Sequence, residues 1–152
     1  MYSEILESVI TKKDLDLLWQ EVDILLASSY KEGKENFDSA LKEKVRYTTA
    51  SLIKDELNKI DLNKVDYLKG LHQCLTKFSL LKLTLAREPS ERSLLTIIDW
   101  ARNNISINIV IDINIDESII SGAIIIFQGK YKDFSLRKRF AETIAKKFSL
   151  NN

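Results

Sequence analysis

The segment Ile105-Ser-Ile-Asn-Ile-Val-Ile-Asp-Ile-Asn-Ile115 places isoleucine at every second position, with Ser, Asn, Val, Asp and Asn between. Successive side chains of a strand point to opposite faces, so this period of two gathers the isoleucines on one side. A helix would scatter them around its circumference. The pattern predicts a strand over 105–115 with its isoleucines on a core and its other face wet.

Flanking segments supply the rest of a sheet. Upstream, Leu81, Leu83 and Leu85 alternate with Lys82 and Thr84, which predicts a strand from Phe78. Pro89 suits the start of a helix, with Ser90 or Glu88 as cap, and Leu94, Leu95, Ile97, Ile98 and Ala101 form its buried stripe to about Asn103. Downstream, Asp116-Glu-Ser-Ile119 interrupts the chain before Ser121-Gly-Ala-Ile-Ile-Ile-Phe-Gln128, a strand rich in β-branched residues. Gly129 permits a tight turn into a short strand over Lys130–Lys132. Asp133 or Ser135 then caps a last helix whose inner face is Leu136, Phe140, Ile144 and Phe148.

The first half has helical spacing. Thr11-Lys-Lys-Asp14 reads as a capping box, and Leu15, Leu18, Val22, Leu25 and Leu26 form one stripe of a helix to about Tyr30. After the polar break Lys31-Glu-Gly-Lys-Glu-Asn36, a second helix to about Ile60 carries Leu41, Val45, Thr48, Leu52 and Leu57 inward. A third over Asn63–Thr76 buries Val65, Leu68, Leu71 and Leu75, with Gly70 costing about 1 kcal/mol relative to Ala. The fold expected is α+β: a helical region over 1–77, then a mixed sheet flanked by two helices over 78–152.

The totals narrow the function classes. A chain of 152 residues that is 45% apolar can bury a core. Its 23 basic and 22 acidic residues leave a net charge of +1, so no global field draws in nucleic acid or anionic lipid. One cysteine, Cys74, permits no internal disulfide and suits a reducing compartment. The start MYSEILESVI lacks a signal peptide's basic region, and no apolar run approaches the roughly 20 residues of a membrane helix.

Residues 78–148 resemble the C-terminal region of ATP synthase δ subunits, the oligomycin-sensitivity-conferring protein family. The landmarks are Ala86-Arg-Glu-Pro-Ser-Glu91, then Asp116-Glu-Ser-Ile-Ile-Ser-Gly122, Gly129-Lys130 and Asp133-Phe-Ser-Leu-Arg137, in that order. They single out Pro89, Asp116, Gly122, Gly129, Asp133, Ser135 and Arg137. Ser121 stands where the family usually has a first glycine, and the residues before Phe78 leave room for three or four helices where the family has six. The resemblance implies a non-catalytic peripheral-stalk subunit joining the catalytic head to subunit b in proton-driven ATP synthesis. Its implied partners are subunits b and α, and its implied place is the cytoplasmic side of the cell membrane, peripheral and within a complex. It implies no cofactor, no nucleic acid, no direct membrane contact and no obligate homo-oligomer.

The residues themselves offer little chemistry. His72 and Cys74 point about 200° apart on a helix and cannot form a dyad. No G-x-x-x-x-G-K-[ST] phosphate loop occurs. Asp112, on a strand, and Asp116 and Glu117, in a turn, are poorly placed to share a metal, so no metal site is expected. The basic run Arg137, Lys138, Arg139, Lys146 and Lys147 reads as a solvated helix face or as a dock for an acidic partner. Trp19 and Trp100 read as core-edge or interface residues. Two alternatives stay open: a small nucleic-acid-binding module using the basic helix, and a stalk subunit of an A/V-type ATPase.

Overall fold

The computed structural model describes residues 1–33, 36–60 and 62–149, apart from the side chains of Phe140, Lys147, Phe148 and Ser149. The expected placements of Phe140, Phe148 and Lys147 therefore lie outside the described residues. The chain divides into two compact units, Met1–Phe78 and Ser79–Asn152.

The first unit is helical: α1 (Ser3–Glu7), α2 (Lys12–Ser28), α3 (Phe37–Glu43), α4 (Tyr47–Lys59) and α5 (Lys64–Leu75). Thr11 and Asp14 form the expected capping box at the start of α2, with reciprocal bonds of 3.2 and 2.9 Å. Leu18, Val22 and Leu25 of α2 are buried with Leu68, Leu71 and Leu75 of α5 in the core of this unit.

The single helix expected between Asn36 and Ile60 is two helices. Arg46 leaves helical geometry, and its backbone N–H and guanidinium bond to Glu21 at 2.7–2.9 Å, while the Thr49 hydroxyl donates to the same carboxylate at 3.0 Å. Burial pushes the Glu21 carboxyl up, but the bonds from Arg46 and Thr49 outweigh it and hold it below its ordinary value. With the helix interrupted there, the inward register resets: Thr49 and Ile53 are buried, while Thr48, expected inward, is exposed.

The short helix α1 was not legible in the sequence. It is tied down by Tyr2, whose backbone N–H donates to Glu56 at 3.0 Å and whose hydroxyl donates to the Tyr67 carbonyl at 3.0 Å. Tyr67 in turn donates to Glu56 at 2.9 Å, and burial followed by that bond pushes its phenol far up. Gly70 leaves the space that the Tyr2 ring fills, which answers the helix propensity it gives up.

The second unit follows the α+β expectation. Its elements are β1 (Ser79–Leu85), α6 (Glu91–Asn104), β2 (Ile109–Ile115), a 3-10 turn over Glu117–Ile119, β3 (Ala123–Phe127), β4 (Lys130–Asp133) and α7 (Leu136–Ser149). The sheet order is β2-β1-β3-β4, with β1 and β2 parallel and the other neighbours antiparallel. Ser90 caps α6, accepting from the Ser93 N–H at 3.2 Å, and Pro89 sits one residue outside the cap.

The alternating isoleucines divide differently from the expectation. β2 begins at Ile109, leaving Ile107 75% exposed, and Ile109, Val110 and Ile111 are all buried. The wet face expected at Val110 is therefore absent over this part of the strand. At the far end the pattern fails the other way, and Ile115 is exposed.

The β3–β4 hairpin turns on Gln128 and Gly129, both at positive φ (48° and 75°), as a two-residue connection matched to strand twist requires. Gly122 has a stricter role. Its φ is +88°, and a Cβ there would collide with the Phe134 carbonyl oxygen and lie 3.1 Å from the Ser135 Cα. Gly122→Ala should therefore cost about 3 kcal/mol or more through strain and overpacking. Gly129→Ala, with open space around it, should cost about 1 kcal/mol. Urea midpoints of the two variants measure the difference, and equal losses would contradict the close backbone approach.

Candidate protein-docking site

Two segments flanking the β3–β4 hairpin, 116–123 and 133–138, carry its antiparallel pairing on beyond the strands. The Phe134 N–H donates to the Ala123 carbonyl at 2.8 Å and the Leu136 N–H to the Ser121 carbonyl at 2.9 Å. Gly122 lies between these bonds, against the Phe134 carbonyl. Any side chain at position 122 would force the strands of this joint apart.

Side chains complete the junction. Asp116 accepts from the Ser118 N–H at 2.9 Å, and Arg137 donates to the Ser118 hydroxyl at 2.8 Å with its guanidinium 3.9 Å from Asp116. Asp133 accepts from the Ser135 N–H at 2.8 Å and from the Tyr131 hydroxyl at 3.3 Å. Ser135 is fully buried and caps α7, accepting from the Lys138 N–H at 3.3 Å. Hydrogen bonding by Ser118, then the Arg137 charge, holds the Asp116 carboxyl below its ordinary value. Hydrogen bonding by Ser135, then by Tyr131, with Lys138 nearby, does the same for Asp133.

Of the seven landmark residues, five meet here: Asp116, Gly122, Asp133, Ser135 and Arg137. Pro89 stands before α6 and Gly129 in the hairpin turn. Sequence reasoning missed Ser118, Ile120 and Phe134. The spacing Asp116-x-Ser118 was a usable signal, because a short acid favours a turn bonded to the backbone two residues on. Nothing in the sequence marked Ile120.

The junction feeds α7, which meets the rest of its unit at the 3-10 turn. Of its expected inner face, Leu136 is half-buried and Ile144 is 53% exposed, while the side chains of Phe140 and Phe148 lie outside the described residues. Arg137, Lys138, Arg139 and Lys146 are exposed too, with Lys138 3.9 Å from Glu142. Among the described residues, ten large apolar side chains are exposed in this unit, against four in the first unit (Met1, Tyr30, Tyr47 and Leu62). Trp100 is among the ten, whereas Trp19 is half-buried and packs edge-on against His72 at 4.6 Å.

The remaining features carry no converging chemistry. His72 lies 3.5 Å from Asp23, and Cys74 is half-buried. Among the described residues no three His, Cys, Asp or Glu side chains group to hold a metal. In the first unit a groove of about 640 Å³ runs between α3 and α4, floored by Phe37, Leu41, Val45 and Leu57 and rimmed by Lys42, Lys54 and Asp55. Its lining suits an apolar helix face better than a small polar substrate.

No family model and no curated protein matches the chain.

The depressed carboxyls have a consequence in acid. A carboxyl whose folded pKa lies below its unfolded value of about 4 stabilises the fold fully above that value and loses the contribution as pH falls through the folded one. Stability should therefore drop on acidification below about pH 4, with Glu21 adding to the effect. Asp116→Asn and Asp133→Asn should each lower the urea midpoint at pH 7 and flatten its fall in acid, and a wild-type slope in both variants would contradict the junction's electrostatics.

Proposed function

We propose that the chain is a non-catalytic stator subunit of an F-type ATP synthase, joining the catalytic head to subunit b. The observation that carries this reading is the convergence of Asp116, Gly122, Asp133, Ser135 and Arg137 on one junction. All five are landmarks of the δ-like resemblance, and Asp116 and Arg137 are 21 positions apart. A junction of backbone bonds around a mandatory glycine gives the δ-like punctuation a mechanical purpose: it fixes the root of a projecting helix.

A stator resists torque, so it needs a stiff core and broad contacts rather than a cleft. The basic, partly apolar α7 is the candidate surface for subunit b, and the groove between α3 and α4 is the candidate for the α subunits of the head. In this reading the protein sits on the cytoplasmic face of the membrane through its complex. No helix among the described residues is long and apolar enough to cross a bilayer.

The test is affinity purification of the tagged chain from its own membranes, together with an ATPase assay of the isolated protein. Subunits b and α should co-purify, and the isolated chain should hydrolyse no ATP. Hydrolysis by the pure chain, or a purification without b and α, would overturn the proposal.

A further inference from the structure

Ile120 stands at φ 69° and ψ −55°, where the Ser121 N–H closes a three-residue turn onto the Ile119 carbonyl at 2.8 Å. This is the strained form of the γ-turn, and a β-branched residue at positive φ is a clear outlier. The strain does not serve burial of its side chain, which is 57% exposed. Ile119, one residue earlier, is the one fully buried. The turn thus sinks one isoleucine and holds the next outward at the root of α7. Phe134, 58% exposed, lies across the joint on the segment whose carbonyl Gly122 faces.

Backbone strain persists only where the surroundings over-determine it, and it gathers at functional sites. Here the bonds of Ser121 to Leu136 and of Ala123 to Phe134 hold the turn in place. By sequence α7 carries Arg137, Lys138, Arg139, Lys146 and Lys147 against one acid, Glu142, a net charge of +4, and Asp116 and Asp133 at its root are already hydrogen-bonded within the junction. An apolar knob beside a basic helix is complementary to an amphipathic helix whose apolar stripe is bordered by Asp and Glu.

We infer that Ile120, with Phe134, is the anchor onto which an acid-flanked amphipathic helix of the stalk partner docks. This deepens the stator reading and rests on it. Local strain presents the anchor, so presentation and stability oppose one another at this residue. A residue kept for packing would behave in the opposite way, its loss lowering stability.

The experiment compares wild type, Ile120→Gly and Ile120→Leu for binding to the purified soluble part of subunit b from the same cell, alongside thermal melts. Glycine relieves the positive φ and deletes the side chain, so it should weaken binding about tenfold or more while leaving the melting temperature equal to or about 2 °C above wild type. Leucine should bind within about twofold of wild type. Binding by Arg139→Glu should weaken and lose part of its dependence on salt. Wild-type binding that Ile120→Gly leaves unchanged would overturn the anchor while sparing the stator reading. A melting temperature lowered by Ile120→Gly would assign the residue to packing and overturn it too. Absence of wild-type binding to subunit b would remove both, and a wild-type homodimer dissolved by Ile120→Gly would give the patch to self-association and overturn the proposal.

Discussion

The approach of Gly122 to the Phe134 carbonyl is the constraint on which the second unit depends. Two segments must run close enough for the Ala123 and Ser121 carbonyls to receive N–H groups from Phe134 and Leu136, and a Cβ at position 122 forbids that spacing. Once the spacing is set, Arg137 reaches Ser118, Ser135 is buried as a cap, and the direction in which α7 leaves the sheet is fixed. The first unit has a counterpart in Glu21, a buried carboxylate that gathers Arg46 and Thr49 and so decides where one helix ends and the next begins. In both units a polar or backbone contact sets the geometry, and the apolar core fills in around it.

Much of the architecture was legible because it rests on local signals. Alternating leucines and isoleucines gave β1 and β2, the Thr11 capping box gave the start of α2, and Gly129 gave the hairpin. The failures share a cause. Periodicity reports which residues share a face but not what covers that face. The period of two in 105–115 could not reveal that Val110 is buried on the opposite side, nor that Ile107 and Ile115 run past the ends of the core. The break at Arg46 depends on Glu21, 25 positions away, and no local window contains both.

The same distinction applies to the docking site. Asp116, Gly122, Asp133, Ser135 and Arg137 were found as punctuation, because capping acids, capping hydroxyls and turn glycines have sequence signatures. Their convergence was not legible, since a pattern of spacings does not say which turns meet. Ile120 was invisible for a stricter reason: its residue type argues against its conformation, and only the surrounding hydrogen bonds explain why it is held there. The helix α7 was read correctly as amphipathic. Of the apolar side expected inward, Ile144 alone is shown exposed, and a period of 3.6 does not say how far along a helix its cover extends.

The outer strand β4 has a consequence for the life of the free polypeptide. It is four residues long, exposed over Lys130–Lys132, and carries ammonium groups at two of its four positions. Two lysines against Asp133 leave this stub a net charge of +1, and its shortness gives little length for main-chain pairing. At this edge, unlike the longer β2 at the opposite one, chains that meet find little main chain to share.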